Sequence, residues 1–318
     1  MAQRILDPGQ IETLQQRSIP RIRLPDHNAH FARRAARLRE LAEDHPIGDY
    51  LRLLAVVADA QHLAASRFQT PLPTADQIDR AREHRMPPLH AAGWPRDPAW
   101  HGVVGDIARA IDAHAGLPRA VRTIAARLTG ADAAWLDDQA DAILAARTDA
   151  VDAAFAPFVA AALQVHWFAL TSAFTAERVT PLDVPGVCPL CGTLPVAGIV
   201  CAHAPYQGYR YLHCALCATE WHMVRVQCSQ CGAVGKDVGY HTAQHERAAT
   251  DAQQDAAVRA ESCNACGAYR KIVYQEKDPN VEPLADDVAS ITLDLLLGEE
   301  GFHRASGNPL LWQTGAGA

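Results

Sequence analysis

The chemistry of this chain is concentrated in its cysteines. Eight of them form four Cys-x-x-Cys pairs: Cys188/Cys191, Cys214/Cys217, Cys228/Cys231 and Cys263/Cys266. With a ninth, Cys201, they all lie in the 79 residues from 188 to 266, and none precedes residue 188. A Cys-x-x-Cys turn presents two thiolates on one side, set to fill half of a tetrahedron. Two such turns complete a four-sulfur site for zinc or a single iron. A glycine directly after the second cysteine lets the turn close through a left-handed residue. Gly192, Gly232 and Gly267 meet that requirement, whereas Ala218 stands after the second turn, Cys214/Cys217. Pro189 pre-sets the backbone of the first turn.

Eight ligands make two sites. In the sequential order, Cys188, Cys191, Cys214 and Cys217 form one and Cys228, Cys231, Cys263 and Cys266 the other. These sites enclose 22 and 31 residues, enough for strands between the turns. An interleaved order, first pair with third and second with fourth, is the alternative. Spacing does not separate iron from zinc, since both accept four thiolates in tetrahedral geometry. Zinc would hold shape; iron would make a rubredoxin-type centre. A disulfide framework does not suit pairs in series in a chain with no signal-peptide core at its start, and a thioredoxin-type dithiol lacks its βαβ setting. His203, His213, His222 and His241 are spare ligand candidates, and Cys201 reads as a spectator thiol.

The turns need elements to hold them. Residues 1–25 read as a Pro- and Arg-containing arm. Helices are predicted over 28–44, 46–66, 100–114, 118–129, 133–147 and 151–174, with a Pro-rich loop before residue 100. Arg33, Arg34, Arg37 and Arg39 on the first of these read as a solvated helix face. Pro181, Pro185 and Gly186 mark a boundary. Beyond it, strand-like runs at 209–214, 220–228 and 268–275 alternate with the cysteine turns, and a helix is predicted over 283–302. The expected fold is therefore a mainly α N-terminal helical domain plus a small β-containing lobe with two rubredoxin- or zinc-ribbon-like sites. Its divisions are 1–180 (all-α), 181–280 (metal-binding lobe) and 281–318 (C-terminal helix and tail).

Charge and composition narrow the function. The region 181–318 carries nine Lys/Arg against fifteen Asp/Glu, a net −6. Each divalent tetrathiolate site adds about −2 more. Such a surface repels phosphate, so nucleic acid is not an expected partner and a nucleic-acid-binding zinc ribbon is the weaker alternative. The apolar stretch 154–174 is interrupted by Pro157, Gln164, His166 and Ser172 and reads as a buried bundle helix rather than a membrane span. No nucleophile elbow, phosphate-cradling loop or His-Glu-x-x-His is present, so no enzyme activity is expected. A cytoplasmic protein is expected, and a homodimer is left open.

The long cysteine blocks "RYLHCALCATEWHMVRVQCSQCG" (210–232) and "ESCNACGAYRKIVYQEKDPNVEPLADDVASITLDLL" (261–296) resemble the formate dehydrogenase accessory protein family. "RILDPGQIE", "HPIGDYLRLLA" and "NPLLW" extend the resemblance over nearly the whole chain. It implies a cytoplasmic assembly factor that binds the catalytic subunit of respiratory formate dehydrogenase during maturation and is not itself the dehydrogenase. It also implies rubredoxin-type centres at the four Cys-x-x-Cys pairs, with iron the expected metal and zinc an option. A stand-alone rubredoxin-like electron carrier is the competing reading.

Overall fold

The computed structural model describes residues 19–243 and 256–311. Most of the N-terminal arm and the end of the tail lie outside the described residues. Two layers meet along the first cysteine turn: a helical bundle and an eight-stranded sheet flanked by two C-terminal helices.

The bundle contains α1 (His30–Leu41), α2 (Gly48–Ala65), α3 (Ala75–Glu83), α4 (Trp100–Ala113), α5 (Arg119–Thr129), α6 (Ala133–Leu144) and α7 (Ala156–Leu170). Its axis is α7, in which every residue but Ala169 is buried, as a helix apolar on all sides requires. The window 156–173 has the length and hydropathy of a membrane span, yet 83% of it is buried inside the protein. Trp167 closes the packing by donating its indole N–H to the Leu89 carbonyl at 3.0 Å.

Helix α3 falls inside the Pro-rich stretch expected to be loop. Thr74 and Gln77 cap each other's backbone in a capping box, the local signal that marks this helix. The arginine stripe also needs correcting. Arg33 and Arg39 face solvent, but Arg34 and Arg37 are buried, because carboxylates far along the chain neutralise them.

The strands are β1 (Ile22–Arg23), β2 (Pro195–Val200), β3 (Arg210–Cys214), β4 (Glu220–Met223), β5 (Val238–His241), β6 (Val258–Cys263), β7 (Ala268–Tyr274) and β8 (His303–Arg304). They run in the order β1-β4-β3-β2-β7-β6-β5, with β8 paired to β7. Two similar halves make up this sheet. A cysteine turn, an antiparallel pair, a second cysteine turn and a third strand recur as turn–β2–β3–turn–β4 and turn–β5–β6–turn–β7. Parallel pairing of β2 with β7 joins the halves. Strand β4 ends at Met223 rather than running on to Cys228, freeing the chain to enter the third turn. The single helix expected over 283–302 is instead α8 (Pro283–Ala289) and α9 (Ile291–Glu299), parted at Ser290, whose hydroxyl donates back to the Asp286 carbonyl.

Helix α8 ties the layers together. Arg34 pairs with Glu282 at 3.0 Å and Arg37 grips Asp286 through two bonds of 3.0 and 2.6 Å. On its other side, both carboxylate oxygens of Asp287 accept from Nη2 of Arg304, at 2.7 and 2.8 Å. Glu282 also caps α8, accepting from the Ala285 N–H at 2.8 Å.

Candidate metal centres

Each cysteine sits where a strand begins or ends. Cys214 and Cys263 are the last residues of β3 and β6, so the hairpin turns to β4 and β7 carry Cys217 and Cys266. The turns at 188–191 and 228–231 precede β2 and β5. In three turns the N–H of the glycine after the second cysteine donates to the carbonyl of the first: Gly192 to Cys188 (2.9 Å), Gly232 to Cys228 (3.0 Å) and Gly267 to Cys263 (2.8 Å). These glycines have φ of +78°, +80° and +72°, and Ala218 adopts the same region at +59°. The second turn thus makes the same bend and strains an alanine to do so.

The turns gather the sulfurs in sequential order. In the first cluster Cys188 Sγ lies 3.6 Å from Cys217 Sγ, and Cys191 Sγ lies 3.4 Å from Cys214 Sγ. In the second, Cys228–Cys266 and Cys231–Cys263 are 3.8 and 3.6 Å apart. A disulfide needs about 2.05 Å, so these are free thiols. A tetrahedral ion with metal–sulfur bonds of about 2.3 Å needs sulfurs about 3.8 Å apart, which both clusters offer. Backbone amides already point at sulfur: Leu216 and Cys217 at Cys214 Sγ (3.4 and 3.3 Å), and Gln230 at Cys228 Sγ (3.4 Å). Both groups could hold a metal ion.

Acidity is uneven within each cluster. Burial pushes the Cys188 and Cys217 thiols up. Burial acts on Cys214 in the same sense, but hydrogen bonds from the neighbouring sulfurs and Thr193 carry it down. In the second cluster the Ala233 amide holds Cys231 low, and burial pushes Cys266 up to about 12.

Cys201 joins neither cluster. It is buried beneath Arg23, whose guanidinium donates to its sulfur at 2.8 Å, and burial raises its thiol to about 11. The spare histidines also stay apart. His213 bonds Glu220 at 2.9 Å and His241 bonds Ser262 at 2.8 Å. His213, His30 and Glu282 do converge closely enough to hold an ion. Arg34 already lies among them, donating to Glu282 and to His30 at 2.9 Å, so that group is an ion-pair network.

Sequence reasoning missed the roof of the first cluster. The Leu89 and Ala91 amides donate to the Leu190 and Cys191 carbonyls at 2.9 and 2.8 Å, and Gln164 donates to the Ala215 carbonyl at 2.8 Å. The Pro-rich loop and α7 thus close over both turns. Pro87 and Pro88 flag a rigid loop, but nothing local says what it covers.

A helical bundle roofing one of two tetracysteine clusters on a duplicated sheet defines a two-part protein built to carry paired thiolate sites. Three family models, described as the N-terminal, central and C-terminal domains of FdhE, match residues 19–183, 187–225 and 226–311. The chain is 39% identical over 316 residues to the FdhE homolog of Cronobacter sakazakii, and 37% identical to the FdhE protein of Salmonella enteritidis. Either match covers 98% of both sequences. The crystal structure of the FdhE protein from Pseudomonas aeruginosa superposes with a TM-score of 0.81 at 36% identity, covering 93% of this chain and all of that one. This chain belongs to the FdhE family.

Proposed function

We propose that this protein is a cytoplasmic accessory factor for the maturation of respiratory formate dehydrogenase, binding the enzyme's catalytic subunit without itself catalysing the reaction. The observation that carries this is the pair of tetracysteine clusters on a chain that matches FdhE proteins from end to end. Cys188, Cys191, Cys214 and Cys217 hold one metal ion, and Cys228, Cys231, Cys263 and Cys266 hold a second. Iron is the favoured ion and zinc the alternative; iron in four thiolates can pass one electron, whereas zinc only fixes shape. The helical half, through about residue 180, is the part against which a partner segment would dock.

The test joins two measurements on protein purified without oxygen and without added zinc. Two iron per chain, with thiolate-to-iron absorption that bleaches on reduction, supports the rubredoxin-type assignment; two zinc reduces the lobe to a scaffold. Co-purification of the dehydrogenase catalytic subunit, together with loss of formate dehydrogenase activity in cells carrying Cys228→Ser/Cys231→Ser, supports the accessory role. Full dehydrogenase activity in those cells sinks it. A reversible one-electron couple with no retained catalytic subunit favours the stand-alone carrier.

A further inference from the structure

The two clusters have the same sulfur geometry and opposite surroundings. In the first, Cys188, Cys191 and Cys217 have no exposed surface and Cys214 only 1%. Every approach is taken up: the 86–94 loop bonds to the 188–192 turn, α7 bonds to the 214–218 turn, and the Thr193 hydroxyl stands 3.2 Å from both the Cys191 and Cys214 sulfurs. An added carbon at Gly192 would meet the His90 ring at 3.1 Å and Pro87 at 3.2 Å. In the second cluster Cys228 and Cys263 are buried, but Cys231 is exposed and Cys266 half-buried. Among the described residues no hydrogen bond joins the helical bundle to its turns, and a carbon at Gly232 would meet only the Gln227 side chain, at 3.9 Å.

Thiolate chemistry depends on access. Metal exchange at a tetrathiolate site proceeds when an incoming chelator or thiol reaches the ion or a sulfur, and alkylation or oxidation needs an approach to the sulfur itself. At the first cluster such an approach must wait for the loop and α7 to part from the two turns, a local opening that breaks three interlayer hydrogen bonds. At the second, the Cys231 sulfur is already at the surface.

We infer that the second cluster is the exchange-labile, thiol-reactive centre of the pair, the point at which a soft divalent ion enters and leaves, while the first is a closed site. This rests on the reading of both clusters as metal sites. Division of labour follows: the closed site fastens the helical half to the sheet, and the open site meets soft metal ions and thiol reagents from solution.

The test uses the full chain loaded anaerobically with two zinc ions and challenged with excess pyridylazoresorcinol, a chromophoric chelator. Release is expected in two phases of one equivalent each, the second slower by at least about a hundredfold because it awaits local opening. Cys231→Ser/Cys266→Ser should delete the fast phase and keep the slow equivalent. Release of both equivalents at one rate overturns the inference, as does a fast phase that persists in that variant. If the chain takes up no zinc, the metal reading itself fails. N-ethylmaleimide labelling followed by peptide mass spectrometry then decides the remainder. Labelling of Cys231 and Cys266 well ahead of Cys188, Cys191, Cys214 and Cys217 supports the accessibility difference, and equal labelling overturns it.

Discussion

The backbone N–H of Ala91 donates to the carbonyl of Cys191 at 2.8 Å, so the helical bundle is hydrogen-bonded to a cysteine turn of the sheet layer. The first cluster is therefore part of the joint between the layers as well as a knuckle of the sheet.

That joint makes two equivalent-looking glycines unequal. Gly192→Ala must both strain a turn at φ +78° and push into His90 and Pro87, whereas Gly232→Ala meets open space and only the strain. The expected cost is about 1 kcal/mol for Gly232→Ala and about 2–4 kcal/mol for Gly192→Ala. Denaturant unfolding of the two variants checks the order; equal losses would deny the packing role of the loop.

Ala218 gives the opposite prediction. It already sits at φ +59°, where a glycine carries no Cβ penalty. Ala218→Gly should stabilise the chain by about 0.5–1 kcal/mol and leave metal stoichiometry unchanged. A melting temperature below the parent's would refute it.

The buried arginines predict a large loss. Arg37→Ala strips the guanidinium from Asp286, which is 1% exposed and whose carboxyl burial already raises. The expected destabilisation is about 3–5 kcal/mol, and the double variant Arg37→Ala/Asp286→Ala should recover part of it, since the buried Asp286 charge is gone while Asp278 and Glu40, which also pair with Arg37, are partly exposed to water. A double-mutant cycle in urea measures the coupling.

His166 sets an acid dependence. It is fully buried in α7 between Phe68 and Trp167 with neither ring nitrogen hydrogen-bonded, and burial lowers its pKa to about 4. The unfolded chain therefore takes up this proton first. The stability due to the neutral ring is complete above about pH 6.5 and is lost as pH falls toward 4, by up to about 3 kcal/mol. His166→Phe should flatten that part of the profile. Parent and variant unfolding free energies at about pH 7 and about pH 5 test it through their difference, which cancels acid effects on the thiolates.

How much of this was legible in the sequence depends on the distance over which each feature is decided. The cysteine turns are local: spacing, and in three of the four the following glycine, select the bend, so all eight cysteines could be named in advance. Of the six longest bundle helices, most are visible because apolar residues recur at helical period, and α7 because its apolar run is too long for a strand. Strand β2, apolar throughout as Pro-Val-Ala-Gly-Ile-Val, gives no alternation to mark it, because β3 and β7 flank it and both faces are buried. The arginine stripe misled for a different reason. Nothing near Arg34 or Arg37 announces Glu282 and Asp286, nearly 250 positions away, so helical spacing alone favoured solvent. The roof over the first cluster is likewise a tertiary fact.

The pairing of α1 with α8 also has a consequence in time. As the chain leaves the ribosome, Arg34 and Arg37 emerge long before Glu282 and Asp286 have been made. Helix α1 cannot settle against its final neighbours while two cations lack their counter-charges, since burying them alone is prohibitive. Completion of the polypeptide is thereby written into the electrostatics of its first helix.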